Sequence, residues 1–331
     1  MDIVVSGIRS TGRLHLGNYF GAVTNFVKMQ NDFKCFFFVA DYHSLTTHPK
    51  PEHLQENVRQ VLAECIACGI DPEQAALYVQ SDVQEVTELY LLLNMNAYIG
   101  ELQRVASFKE KIRMHPDNVN AGLLTYPTLM AADILIHKAD KVPVGKDQEQ
   151  HLEMTRNFAQ RFNRIYNVSC FPEPVAFNFG TELVKVPGLD GSGKMGKSEG
   201  EGNAVFISDS EEQIKKKVMK AVTDSGPVIP GAPRSEPVQN LFTLMNLVSA
   251  KETLSFFEQK YNEGTIRYGD MKKQLAEDIN NFISPLREKI NETVKDDILL
   301  KSIAAKGAEK ARISACATIK EVRNTIGFMN A

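Results

Sequence analysis

The segment Ile3–Val23, IVVSGIRSTGRLHLGNYFGAV, opens with a β-branched run and passes through a glycine-spaced turn into an apolar-periodic stretch. Ile3, Val4 and Val5 suit a buried first strand. Gly7 and Gly12 allow the chain to turn tightly, and Asn18 to Val27 can continue as a helix. A strand, a glycine turn and a helix N-terminus present free N–H groups and a positive dipole end to an anion. Neither GxxxxGK[ST] nor GxGxxG occurs here, since the glycines stand at 7, 12, 17 and 21. The turn instead holds Thr11-Gly12 and then His15-Leu16-Gly17-Asn18. The imidazole and amide can donate hydrogen bonds to a phosphoryl group, and Gly17 leaves room for a flat ring against the backbone. The same residues would also make an ordinary first turn of a doubly wound sheet with a surface histidine.

A second short word lies far downstream. Residues 188–198 read GLDGSGKMGKS, with Lys194-Met195-Gly196-Lys197-Ser198 in a glycine-rich loop. Together, HLGN after the first strand and KMGKS resemble the HIGH and KMSKS signatures of class I aminoacyl-tRNA synthetases. The likeness extends through most of the chain and is to the tryptophan-specific branch of that family, in its bacterial form. It implies an α/β fold, a Rossmann-type doubly wound parallel sheet, with a second, all-helical domain. Residues 1–187 would be the nucleotide- and tryptophan-binding catalytic domain. Residues 188–295, beginning with the KMGKS loop, would be a helical anticodon-binding domain. A last helix, about 296–331, would pack back on the first.

Bulk properties set bounds. The chain has 331 residues, enough for about two domains and a sizeable core. At 43% hydrophobic and 24% charged residues it has the composition of an ordinary globular protein. No apolar run approaches ~20 residues, and the chain begins on a strand rather than a signal peptide, so a cytoplasmic location is expected. The five cysteines, at 35, 65, 68, 170 and 316, are odd in number and scattered, which suits reduced thiols. Cys65-x2-Cys68 has no second pair to complete a metal site. It falls on an apolar-striped segment with Leu54, Val58, Val61 and Leu62, which suits core packing. Net charge is −3; residues 187–331 hold 21 basic and 20 acidic groups of the chain's 38 and 41. Bulk charge therefore does not announce a nucleic-acid surface, and any RNA contact must come from local patches.

Phe36 to Ala40 reads as a second buried strand ending at Asp41-Tyr42-His43, where side chains face the usual ligand crevice. His43 is thus a substrate candidate or a satisfied loop histidine. Pro51 to Gly69 reads as an amphipathic helix and Ala76 to Gln80 as a third strand. Val86 to Ile99 is apolar all round, which suits a core helix or, as the family implies, a homodimer contact.

Residues 121–136, AGLLTYPTLMAADILI, place Tyr126, Met130 and Asp133 on one helix face. Asp133 interrupts an apolar stripe, and a carboxylate there is costly unless something donates to it. An apolar pocket with one acceptor at its floor suits a flat aromatic carrying one N–H or O–H. A donor within the core would serve the carboxylate equally. Val142 to Val144 reads as a short strand, and Asp147 with Gln150 as a capping box opening a helix through Phe162. Ser210 and Gln213 form a second such match, opening a helix that carries Lys215, Lys216, Lys217 and Lys220. Those lysines could touch tRNA phosphates or simply face water. Gly226 to Pro237, with four prolines and two glycines, reads as a linker or long loop. From Val238 onward the pattern is helical, and Pro285 is expected to kink or split a helix striped by Met271, Leu275, Ile279, Phe282, Leu286, Ile290 and Val294.

The resemblance assigns roles to matching positions. The aspartate of YPTLMAADIL, Asp133, would accept the indole N–H of tryptophan. Met130, Tyr126, His43, Val5, Ile134, Val142 and Val144 would line that pocket, and Gln148 would reach the α-amino group. Arg9, Ser10, Thr11, Gly17, Asn18, Gly145, Lys146, Asp147, Val186 and the loop Lys194, Met195, Gly196, Lys197 and Ser198 would hold ATP. His15, Asn18, Lys111, Lys194 and Lys197 would carry the catalysis, with Mg²⁺ on the ATP phosphates and no protein metal site. Gly196 stands where a serine is common, Arg9-Ser10-Thr11 replaces a frequent Gln-Pro-Ser, and Lys146 replaces an acidic residue. The implied partners are L-tryptophan and tRNA(Trp), in a homodimer with no membrane or DNA contact. The competing assignments are a tyrosyl enzyme of the same fold, a catalytically silent paralogue that binds tRNA or senses tryptophan, and a generic nucleotidyltransferase. No general base or paired catalytic carboxylate stands out, as expected for in-line attack on a phosphate.

Overall fold

The computed structural model describes residues 1–10, 12–114, 116–145, 148–178, 185–191, 193–196, 200–226 and 229–329. Thr11, Lys146, Asp147, Lys197 and Ser198 lie outside the described residues.

Among the described residues five strands, β1 (Ile3–Arg9), β2 (Lys34–Ala40), β3 (Ala76–Val79), β4 (Lys141–Val142) and β5 (Val175–Ala176), form one sheet in the order β3-β2-β1-β4-β5. Every pairing is parallel, and β1 runs beside β2 from Ile3 opposite Lys34 to Arg9 opposite Ala40. The order places the carboxyl end of β1 at the switch point where an open parallel sheet binds its ligand. Helices cover both faces, as a parallel sheet requires. The first half of the chain adds α1 (Leu16–Asn18), α2 (Thr24–Met29), α3 (Asp41–Ser44), α4 (Pro51–Ala67), α5 (Glu85–Asn94), α6 (Ile99–Leu102), α7 (Ala106–Met114), α8 (Ala121–Leu124) and α9 (Tyr126–Leu135). The second adds α10 (Glu149–Tyr166), α11 (Glu211–Met219), α12 (Glu236–Val248), α13 (Lys251–Asn262), α14 (Tyr268–Thr293) and α15 (Asp297–Ile326).

The two-residue period of the strands divides the core. Val4, Phe37, Val39 and Leu77 point to one side, into a cluster shared with α4 and with Leu241, Met245, Leu275 and Ile279 of the helical half. Val5, Phe36, Phe38 and Tyr78 point to the other, among side chains of α5, α9, α10 and α15. Cys65 sits fully buried in the first cluster, and burial pushes its thiol well up. Among the described residues no group of three His, Cys, Asp or Glu side chains could hold a metal ion, and no helix is long and apolar enough to cross a membrane.

Two sequence expectations are corrected. The helix after the HLGN turn is not uniform, because Tyr19–Val23 forms a π-helical segment between α1 and α2. α14 passes through Pro285 as a single helix. Asn281 and Pro285 both face solvent there, so water can serve the carbonyl that proline leaves without a donor. α10 starts at Glu149 with Gln148 as N-cap, and Gln150 Oε1 accepts from the backbone N–H of Ala106 at 3.0 Å; Asp147, the other half of the expected capping box, lies outside the described residues. The capping box at Ser210–Gln213 is present, each side chain bonded to the other's backbone N–H.

α5 is only half a core helix. Val86, Leu89 and Leu93 are buried, while Leu91, Met95, Tyr98 and Ile99 leave an exposed apolar patch. On the neighbouring edge α15 lies directly on β3. A Cβ at Gly307 would stand 1.9 Å from the carbonyl oxygen of Leu77, so only glycine permits this approach. Gly307→Ala is expected to force α15 off the sheet and cost about 1–3 kcal/mol, read as a lower urea midpoint; an unchanged midpoint would contradict that packing.

Candidate active site

β1 delivers its carboxyl end to the turn. Ser10 is buried and donates to Ser44 Oγ at 2.9 Å, and Ser44 in turn donates to the Ala40 carbonyl at 3.0 Å. The ends of β1 and β2 are thereby tied together. One residue before His15, the Leu14 N–H donates to the fully buried carboxylate of Glu64 on α4 at 2.6 Å. His15 then caps α1. Its Nδ1 accepts from the Asn18 N–H at 3.2 Å, and Asn18 Oδ1 accepts from the His15 N–H at 3.1 Å. With Nδ1 accepting, the neutral ring carries its proton on Nε2, a donor. The Asn18 amide, with Oδ1 turned inward, keeps Nδ2 as its donor.

Gly17 lies within the same turn. A Cβ there would meet His15 Nδ1 at 2.8 Å and Met195 Cβ at 3.5 Å. Glycine is needed at 17 because the imidazole of the same turn occupies the place of a side chain. The contact with Met195 also brings the two signatures together. Met195 is buried and its N–H donates to the Val186 carbonyl at 2.8 Å, while Lys194 beside it is exposed. Leu189 N–H donates to the Asn203 carbonyl at 3.1 Å, closing the neck of the segment that carries KMGKS.

Asp133, on α9, is 3% exposed. Its carboxyl is pushed up by burial, which hydrogen bonds from His43 and Gln80 oppose. His43 Nε2 lies 2.9 Å from Oδ2, and Gln80 Nε2 donates to Oδ1 at 2.7 Å. Both donors are themselves buried, and both keep one buried polar atom without a partner, His43 Nδ1 and Gln80 Oε1. The donor within the core that the sequence left open is therefore this pair. A carboxylate has about four acceptor sites, and two are filled, so Asp133 retains the capacity to accept from a ligand. Gln80 was missed in the sequence. It follows β3 directly, just as His43 lies just beyond β2, and that shared position was its signal.

Val5, Ile134, Val142 and Val144 belong to one buried apolar cluster, with Met130 packed against it. The Tyr126 ring lies 4.2 Å from that of His43 and 5.8 Å from that of His151. Burial pushes the Tyr126 hydroxyl up, and the nearby Arg9 charge opposes this. Gln148 Oε1 is 3.0 Å from His151 Nδ1, and its N–H donates to the Gly145 carbonyl at 2.9 Å. Lys111 is half-buried on α7.

A profile of the family described as tRNA synthetases class I (W and Y) matches residues 2–284. The chain belongs to this family of class I synthetases. Within it, the tryptophan–tRNA ligase of Porphyromonas gingivalis is 62% identical over 99% of this chain and 100% of its own length. The tryptophan–tRNA ligase of Helicobacter pylori is 41% identical over 98% of each. The tryptophanyl-tRNA synthetase of Campylobacter jejuni, solved with ADP and tryptophan, superposes with a TM-score of 0.87 at 36% identity, covering 98% of this chain and 100% of that one.

His137, just beyond α9, stacks on Phe36 with centroids 4.1 Å apart and meets the Tyr78 hydroxyl at 3.0 Å. Burial lowers its pKa to about 3 from an ordinary 6.5. The unfolded chain therefore binds this proton first as pH falls, so the stabilisation is full above 6.5 and is lost on acidification towards 3. Wild type should lose about 1.4 kcal/mol per pH unit more than His137→Gln through this window. Parallel urea slopes for the two proteins between pH 6.5 and 4.5 would contradict it.

Proposed function

We propose that the protein is a tryptophan–tRNA ligase. It joins L-tryptophan to ATP as tryptophanyl-adenylate with release of pyrophosphate, then transfers tryptophan to the 3′ end of tRNA(Trp). The observation that carries this reading is Asp133, a carboxylate sunk among apolar side chains with both oxygens oriented and acceptor capacity to spare. The full-length likeness to tryptophan–tRNA ligases supports it.

In the first step a carboxylate oxygen of tryptophan attacks the α-phosphorus as the bond to the bridging oxygen of pyrophosphate breaks. Such a displacement needs alignment and charge neutralisation more than a base. Asp133 accepts the indole N–H; Met130, Tyr126, His43, Val5, Ile134, Val142 and Val144 enclose the ring, and Gln148 orients the amino group. His15 Nε2 and Asn18 Nδ2 donate to the phosphoryl oxygens. Arg9, Ser10, Thr11, Gly17, Gly145, Lys146, Asp147 and Val186 hold the nucleotide. Lys111, Lys194 and Lys197, with Met195, Gly196 and Ser198 shaping the loop, neutralise the departing pyrophosphate, aided by Mg²⁺ on the phosphates. In the second step a ribose hydroxyl at the tRNA 3′ end attacks the acyl carbonyl and AMP leaves. Residues 188–295 would read the anticodon, and the exposed patch of Leu91, Met95, Tyr98 and Ile99 would pair two copies.

ATP–pyrophosphate exchange with each of the twenty amino acids tests the assignment. Exchange should depend on tryptophan alone; exchange driven by tyrosine, or by none, would overturn it. Lys197→Ala should slow activation by roughly a hundredfold while tryptophan affinity holds. A collapse of affinity at an unchanged rate would remove that role.

A further inference from the structure

We propose that Asp209 is a positioning residue for adenylate formation, holding the extended segment 205–207 that follows the KMGKS loop against the turn that carries His15. The inference rests on the synthetase reading and assigns a part to a residue outside both signatures.

Asp209 is wholly buried, yet it carries a carboxylate between two cations. Oδ1 accepts from Arg13 at 3.1 Å, and Oδ2 accepts from Lys217 at 2.6 Å and from the Phe206 N–H at 2.9 Å. Its own N–H donates to the Phe206 carbonyl at 3.0 Å, and its carbonyl accepts from Arg287 of α14 at 2.8 Å. Arg13 and Lys217 each also stand 4.4 Å from the centroid of the Phe206 ring. A single carboxylate thus fixes Phe206 through its backbone and holds two cations on its ring.

Phe206 is where this bears on the reaction. Residues 205–207 pair antiparallel with residues 14–16: Leu16 N–H donates to the Val205 carbonyl at 2.9 Å, and Ile207 N–H to the Leu14 carbonyl at 3.0 Å. His15 is the residue opposite Phe206, and their rings meet edge-on at 6.4 Å. The short ladder is the shared support of the imidazole on one side and of the loop bearing Lys194 on the other. Arg13 reinforces it from within the turn, two residues before His15. The capping box sets the tautomer of His15, and the ladder sets where its Nε2 points.

Small displacements of reacting groups cost rate more than affinity. The test is single-turnover adenylate formation by the full-length protein, normalised to active sites counted from the burst, with KM for tryptophan and ATP and the melting midpoint recorded in parallel. Asp209→Asn should slow formation roughly tenfold to a hundredfold per active site, with KM for tryptophan within about twofold. If that variant does not fold, Arg13→Met reports alone. It removes the outer arm of the cluster, should slow formation in the same direction, and Arg13→Lys should recover within about threefold, since an ammonium meets both Asp209 and the Phe206 face. Variants with a lowered melting midpoint but a wild-type rate per active site would make the cluster merely structural and overturn the proposal. Absence of tryptophan-dependent formation in the wild type would instead sink the synthetase reading.

Discussion

A carboxylate taken out of water must be met by donors, and Asp133 is met by two. Its apolar surroundings would favour the protonated form, while the bonds from His43 and Gln80 favour the ion and fix its plane. The three residues come from α9 and from the ends of β2 and β3, so they converge only when the parallel sheet and its covering helix are formed. The acceptor is consequently rigid before any ligand arrives. A preoriented buried acceptor discriminates between occupants, because one lacking the matching N–H leaves its remaining acceptor capacity unused and out of reach of water.

The same economy holds at the phosphate end. His15 caps its own helix and is bridged to Phe206, Leu14 is held by Glu64, and Ser10 is held by Ser44. The turn is braced from α4, from the end of β2 and from the bridging segment 205–207 at once. Buried ion pairs are weak contributors to net stability but costly to break singly, and Asp209 with Arg13 and Lys217 fits a role in holding geometry. Lys194 sits on a segment tied to the rest of the chain at Leu189–Asn203 and Met195–Val186.

How far the sequence could be read follows from the range of the forces involved. β1, β2 and β3 announced themselves because β-branched and aromatic runs have few other uses, and the two signatures are contiguous words. The convergence of Tyr126, Met130 and Asp133 was legible as helical spacing. Gln80 was not, because a lone glutamine after a strand carries no pattern until β3 is placed beside β2. Asp209 was hidden for the same reason, its partners lying at positions 13, 217 and 287. That Gly17 must lack a side chain was legible, but its contact with the His15 ring was not, since the tilt of that ring is set by a hydrogen bond from the Asn18 N–H. The exposed half of α5 could not be told from core by composition: an apolar stretch reads alike whether a helix, a sheet or another copy covers it.

The central claim is that a buried acceptor at Asp133 meets an indole N–H. It is tested most directly from the ligand side, by calorimetric titration of the protein with tryptophan and with the isosteric benzothienyl alanine, in which sulfur replaces that N–H. The account predicts that the sulfur analogue binds roughly tenfold to a hundredfold more weakly, with tryptophan the only tight ligand of the pair. Equal affinities would mean that Asp133 serves only His43 and Gln80, and the account would fail.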